Sequence, residues 1–214
     1  MNAPLLREAR CYFAGGTAIA MQLGEFRESV DIDFLCADAE GYRRLRSSIF
    51  EYRLEEIFPA GIEILREARA DRDGIRAVLT CDGMPIKFEI VREARITLTG
   101  DDNTGLAVPC LARDDLFAEK LLANADRFAD KSTMSRDIID LIVMQIHWGE
   151  IPRLAMQKAE SAYGLSIAGA LNKAIDMLRA NPVHLAECVV RMDINDATAN
   201  QIRLFLANAR KHPR

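Results

Sequence analysis

The chain has 214 residues, half of them hydrophobic and 28% charged, with a formal net charge of −4. That length holds one large domain or two small ones, and the composition is ordinary for a soluble globular protein. The negative balance excludes nucleic-acid binding by whole-molecule attraction, so any such contact needs a local basic patch.

In chain order, residues 4–10 read as a short helix leading into a strand over 11–14. A glycine turn follows, Gly15-Gly16-Thr17, and opens a helix over 17–23. Residues 30–36 are a strand, and 39–58 a helix, with Tyr42, Leu45, Ile49 and Leu54 near helical spacing. Pro59-Ala60-Gly61 stops that helix. Strands are expected over 62–70, 75–81 and 86–91, the last two joined by the hairpin signal Asp82-Gly83. A further strand over 94–98 precedes a polar loop over 100–105.

The second half reads as wholly helical. Asp114 is expected to cap a helix to about residue 129, and Ser135 to cap the next, through 147. Further helices are expected over 151–163, 167–179, 182–191 and 197–209, with Pro182 in a first helical turn and a basic tail over 210–214. The fold class is thus an α/β (α+β) core with a mixed sheet, residues 1–110, followed by an all-helical C-terminal region, residues 111–214.

The chemistry concentrates near the start. In Ser29-Val30-Asp31-Ile32-Asp33-Phe34 the residues two apart point the same way on a strand. Asp31 and Asp33 therefore project side by side, while Val30, Ile32 and Phe34 face the opposite side. Two carboxylates held that close repel unless a cation sits between them. The geometry suits Mg²⁺, a hard ion that takes one or two carboxylates plus substrate phosphates. Backbone N–H groups at a helix start attract phosphate, so the glycine turn completes a site for a metal–nucleotide complex. A D-x-D pair alone also fits the polar face of an edge strand. A third acid, Glu89, lies in Pro85-Ile86-Lys87-Phe88-Glu89-Ile90-Val91, on the face of Lys87 and Val91. Three carboxylates on adjacent strands could hold two Mg²⁺ ions that activate an attacking hydroxyl and stabilise leaving pyrophosphate. The plainer reading of Glu89 is a solvated residue paired with Lys87.

Other residue types exclude rather than point. The cysteines Cys11, Cys36, Cys81, Cys110 and Cys188 are scattered without a C-x-x-C pair and read as reduced thiols. His147, His184 and His212 are too far apart to indicate a zinc site. Neither a signal peptide nor a membrane span is expected, which points to the cytoplasm.

The string FAGGTAIAMQLG…RESVDIDFL resembles the polymerase-β-type nucleotidyltransferase superfamily and, within it, the AbiEii/AbiGii toxin family of toxin–antitoxin and phage-defence systems. Gly15, Gly16, Asp31, Asp33 and Glu89 match in order and setting. The resemblance implies a nucleotidyltransferase core with a helical C-terminal region, NTP as substrate, and a cognate antitoxin as partner. It extends into the stretch Leu111 to Leu122, then Arg127, then Ser135-Arg136-Asp137-Ile138-Ile139-Asp140-Leu141. By spacing alone, Lys120 and Arg127 share a helix face, as do Asp137 and Asp140, and these would make helix-to-helix salt bridges. By resemblance, Lys120 contacts nucleotide phosphate, Asp137 orients that lysine or the substrate, and Arg136 and Asp140 stand one layer back. Two departures are visible: Gly-Gly-Thr replaces Gly-Ser, and the third acid is glutamate rather than aspartate.

The resulting expectation is a metal-dependent nucleotidyltransferase. Asp31, Asp33 and Glu89 bind metal; Gly15, Gly16, Thr17, Ser29 and Lys120 bind nucleotide; Asp31, Asp33, Glu89, Lys120 and Asp137 carry the catalysis. The acceptor is an RNA such as tRNA or a protein side chain, with Tyr42-Arg43-Arg44-Leu45-Arg46 read as either an RNA-facing patch or a solvated helix face. Two alternatives stay open: a nucleotide- or partner-binding module without turnover, and an aminoglycoside-type enzyme acting on a small cationic acceptor.

Overall fold

The computed structural model describes residues 1–52, 54–58 and 62–209. They form two compact units: Met1–Ala18 with Val30–Arg113, and Ile19–Ser29 with Asp114–Arg214.

The first unit is an α/β layer. Helix α1 (Ala3–Glu8) starts where the Asn2 side chain accepts from the Leu5 N–H, and leads into β1 (Cys11–Ala14). Helix α2 (Gly15–Gln22) follows at once, then β2 (Ile32–Cys36) and α3 (Ala39–Tyr52). A meander of β3 (Glu63–Ala70), β4 (Gly74–Cys81) and β5 (Met84–Arg92) comes next, with Asp82-Gly83 at positive φ in the β4–β5 turn. Two short strands, β6 (Gly100–Asp101) and β7 (Cys110–Leu111), close the unit. The sheet order is β3-β4-β5-β2-β1-β7-β6. Strand β2 is antiparallel to β1 and parallel to β5, so the sheet is mixed, as expected from the sequence.

Alternation along the central strands builds the core. Phe13, Phe34 and Phe88 share one face, with centroids 5.4 and 6.2 Å apart along the row, and Phe58 packs edge-on against Phe88 at 5.2 Å. Leu5 and Leu6 from α1 and Leu45 and Ile49 from α3 join that cluster. Burying this face turns Asp33 and Glu89 to the other one.

Several sequence expectations are corrected. No strand forms over residues 94–98: the Glu93 carboxylate turns back to accept from the Arg95 backbone N–H and guanidinium, which bends the chain out of the sheet after β5. Helix α3 ends at Tyr52 rather than 58; the Ile57 and Phe58 N–H groups instead close a turn on the Leu54 carbonyl, and all three side chains are buried. The expected stop at 59–61 and the basic tail at 210–214 lie outside the described residues. Val30 is 51% exposed, because it precedes the strand instead of joining its apolar face. Strands β6 and β7 carry too few residues to leave a pattern of period two.

The second unit is helical: α4 (Arg113–Arg127), α5 (Arg136–Trp148), α6 (Arg153–Tyr163), α7 (Ser166–Ala180), α8 (Pro182–Arg191) and α9 (Asp196–Asn208). A 3-10 turn, Lys131–Thr133, sits between α4 and α5. Leu116, Leu121, Ile139, Ile142, Leu171 and Ile202 are among its fully buried side chains. Helix α4 opens at Arg113, so Asp114 lies inside its first turn, where it complements the helix dipole rather than capping. Ser135 stands at the N-cap position of α5 but makes no capping hydrogen bond; its left-handed backbone (φ 51°) sends the hydroxyl elsewhere.

Candidate active site

The carboxylate face is set by strand register. Asp33 on β2 pairs with Glu89 on β5 in the parallel ladder, and with Ala14 on β1 in the antiparallel one. Ala14 is the last residue of β1, so the chain enters α2 next to Asp33. Gly15 makes that entry at φ +72°, and a Cβ there would stand 2.8 Å from Asp33 Oδ2. Glycine is required twice at this position, for the left-handed backbone and for the space the carboxylate occupies. Thr17, one residue further into α2 than Gly16, is buried, and its hydroxyl donates to the Asp31 carbonyl oxygen. The glycine turn is therefore tied at two points to the segment Asp31-Ile32-Asp33, of which Asp31 precedes β2 instead of lying on the strand as the sequence suggested.

Glu89 has two cationic neighbours. Lys87 Nζ lies 2.5 Å from Oε2 and Arg76 Nε 2.6 Å from Oε1. Arg76 pairs with Glu89 across β4 and β5, a contact that no sequence spacing announced. Burial pushes the Glu89 carboxyl up, but Lys87 and Arg76 outweigh it and hold it below the usual glutamate range. Lys87 is raised, first by its hydrogen bond to Glu89, with Asp33 and Asp31 adding to the same effect. Lys87 thus feels all three acids. The donor set fits a hard divalent ion that binds through one or two carboxylates plus substrate phosphates. Among the described residues no three His, Cys, Asp or Glu side chains come together closely enough to hold a metal ion by themselves, so substrate phosphates would have to complete the coordination.

The expected residues of the helical stretch form a buried chain of charges within the second unit. Lys120 Nζ lies 2.9 Å from Asp137 Oδ1 and 2.7 Å from Asp140 Oδ2. Arg127 grips Asp137 with two hydrogen bonds of 2.6 and 2.9 Å. Arg27 grips Asp140 in the same way, at 2.7 and 2.9 Å. Lys120, Asp137, Asp140 and Arg27 are all buried. Burial opposes the charge on Lys120, but Asp140 and Asp137 more than offset it and raise the ammonium. Burial likewise pushes Asp137 up, yet Lys120 and Arg127 hold it well below the ordinary aspartate range.

These are not the weak exposed pairs that the spacing implied, because all but Arg127 are shielded from water. Asp140 touches Lys120 directly, where the resemblance placed it one layer back. Arg27 lies just before the Asp31-Ile32-Asp33 segment, and nothing local in the sequence pairs it with a residue 113 positions on. Asn124, one turn beyond Lys120 on α4, is buried with neither amide atom hydrogen-bonded among the described residues. Ser29 is half-buried and belongs to this second unit. Of the basic run on α3, Arg43 and Arg44 are exposed, Arg44 pairs with Glu8 at 2.8 Å, and Tyr42 and Leu45 are core residues.

The family profile described as "Nucleotidyl transferase AbiEii toxin, Type IV TA system" matches residues 5–210. The chain belongs to the AbiEii family. It is a nucleotidyltransferase by that membership, within a family of type IV toxin–antitoxin systems. The AbiEii fold is shared with JHP933 from Helicobacter pylori at 18% identity and TM-score 0.53, over 96% of this chain and 85% of that one. It is shared too with an antigenic nucleotidyltransferase-like protein from Paracoccidioides brasiliensis, at 18% identity and TM-score 0.50, over 92% of each chain. No curated protein gives a match. Among the described residues of this AbiEii-family chain, no helix is long and apolar enough to cross a membrane.

Proposed function

We propose that this AbiEii-family chain moves a nucleoside monophosphate from an NTP to an acceptor hydroxyl in a Mg²⁺-dependent reaction, with RNA such as tRNA as the acceptor. The observation that carries this reading is the direct pairing of Asp33 with Glu89, closed on its other side by Gly15. Asp31, Asp33 and Glu89 would hold the metal, as one ion or two, together with the substrate phosphates. When bound, the metal neutralises the triphosphate and acts as a Lewis acid toward the acceptor hydroxyl.

The chain's own residues supply the rest. Gly15, Gly16, Thr17 and Ser29 hold the triphosphate, helped by the N–H groups at the opening of α2. Glu89, kept ionised by Lys87 and Arg76, contributes negative charge beside the acceptor hydroxyl. Lys120 neutralises phosphate charge, and Asp140 together with Asp137 keeps that lysine protonated and in place. In this reading residues 1–110 are the catalytic core and residues 111–214 a helical domain. The protein acts in the cytoplasm as a toxin or phage-defence enzyme, restrained by a cognate antitoxin.

The test is incubation of purified protein with Mg²⁺ and each NTP labelled on its α-phosphate, with total RNA or a protein lysate as acceptor. An Asp31→Asn/Asp33→Asn variant runs alongside. Label on RNA that is lost in the variant supports the reading. Label on protein alone overturns the acceptor, and no label with any NTP and either acceptor overturns the reading itself.

A further inference from the structure

A second chemical constellation lies wholly inside the helical unit. Ser135 Oγ is 2.9 Å from His184 Nε2, and His184 Nδ1 faces Glu187 Oε2 at 3.9 Å. With the ring proton on Nδ1, Nε2 accepts the serine hydroxyl. A nucleophile, a base within hydrogen-bond reach and a carboxylate behind the base are the parts of an activated serine, and such contacts are often looser without substrate. The Asn181 side chain accepts from the His184 N–H and fixes the first turn of α8, which sets the histidine.

The backbone at Ser135 points the same way. Met134 and Ser135 are consecutive non-glycine residues at φ 51°. Left-handed residues without glycine store strain, and such strain collects at functional positions. The left-handed backbone turns the Ser135 hydroxyl away from capping α5 and toward His184. Ser135 and His184 open onto a pocket of about 250 Å³, lined also by Phe128, Lys131, Met177 and Val183. Cys188 Sγ, 3.5 Å from His184 Nε2, is the competing nucleophile, but burial pushes its thiol up to about 11 and keeps it protonated at neutral pH.

We infer that Ser135, His184 and Glu187 form a second active site, independent of nucleotide transfer, that hydrolyses small carboxylic esters through an acyl-serine intermediate. Ser135 Oγ attacks the ester carbonyl as its proton passes to His184 Nε2. The tetrahedral intermediate collapses by breaking the bond to the alcohol oxygen, which leaves with that proton. A water molecule then gives a proton to His184 Nε2 and attacks the acyl carbon. The Ser135 oxygen leaves and recovers the proton, so ester and water become acid and alcohol. The apolar side of the pocket, Phe128, Met177 and Val183, suits a short acyl chain.

The experiment treats the folded full chain with a fluorophosphonate probe and, separately, with p-nitrophenyl acetate. Peptide mass mapping of the wild-type protein should place the phosphonyl group on Ser135, which needs no variant to interpret. Nitrophenol release should disappear in Ser135→Ala and fall by about 100-fold or more in His184→Ala. Ser135→Ala should leave NMP transfer intact, which separates this site from the first. A probe adduct absent from Ser135, an adduct on Cys188 instead, or release unchanged in Ser135→Ala would each show that Ser135 and His184 only staple α5 to α8, and would overturn the inference.

Discussion

Asp33 and Glu89 stand directly opposite each other on adjacent parallel strands, although 56 positions separate them in the chain. That register requires β5 to pass beside β2 after the whole β3–β4 excursion, and it puts both carboxylates on the face away from the phenylalanine row. Asp33→Asn and Glu89→Gln keep the size of each side chain and remove its charge. Each is expected to lower NMP transfer by about 100-fold or more with the circular dichroism spectrum unchanged. Transfer at wild-type rate in either variant would remove that carboxylate from the site.

Gly15→Ala is expected to cost activity out of proportion to stability. The backbone there is left-handed, which costs an L side chain about 1–2 kcal/mol, a modest drop in melting temperature. The added methyl also meets the Asp33 carboxylate and must displace it. Thermal unfolding and transfer assays on the same preparation compare the two effects. A loss of stability with full activity would mean that Asp33 tolerates displacement.

Lys87 and Arg76 place positive charge where a divalent ion would also neutralise Glu89. Lys87→Ala is therefore expected to tighten Mn²⁺ binding several-fold, measured by calorimetry at low ionic strength. Weaker binding in the variant would instead make Lys87 part of the support that orders the carboxylates.

The buried charge chain predicts an order of stabilities. Asp140→Ala leaves both Lys120 and Arg27 without a carboxylate they now touch, and breaking a buried pair in this way costs about 3–5 kcal/mol. Lys120→Met is milder, because Asp137 keeps Arg127 and Asp140 keeps Arg27. Urea unfolding of the two variants gives the comparison; equal losses would mean that the arginines do not compensate.

The same cluster sets a pH dependence. Asp137 has a depressed pKa in the folded state, so its contribution is complete above the unfolded aspartate value near ~4 and is lost as pH falls through the folded one. Lys120 is raised, so its contribution is complete below the unfolded lysine value near ~10.4 and is lost only as pH climbs past the folded one. Denaturant unfolding from neutral to acid pH should fall more steeply for wild type than for Asp137→Asn. Parallel curves would assign the acid sensitivity to other carboxylates.

Local chemistry was legible in one dimension. β1 and α8 fall on the residues that periodicity and Pro182 assign them, and Asp82-Gly83 makes the expected hairpin turn. Gly15 and the shared face of Asp33 and Glu89 were legible because each depends on a short-range property, a backbone that needs glycine or an alternation of period two, whereas Asp31 precedes β2 and escapes that alternation. The same local logic failed at residues 94–98, where the hydrogen bond that the Arg95 N–H donates to the Glu93 carboxylate overrode an acceptable strand pattern. It failed too at Ser135, whose residue type suits a cap but whose backbone is left-handed.

The sequence by itself determined the class of protein: a nucleotidyltransferase with a mixed α/β core and helices after it. Only the tertiary structure decided which charges meet. Arg76 reaches Glu89 through strand pairing, Arg27 reaches Asp140 across 113 positions, and Ser135 reaches His184 between two helices. Periodicity states which way a side chain faces along its own element. It carries nothing about which element lies opposite, because that depends on packing the apolar faces of the whole unit at once.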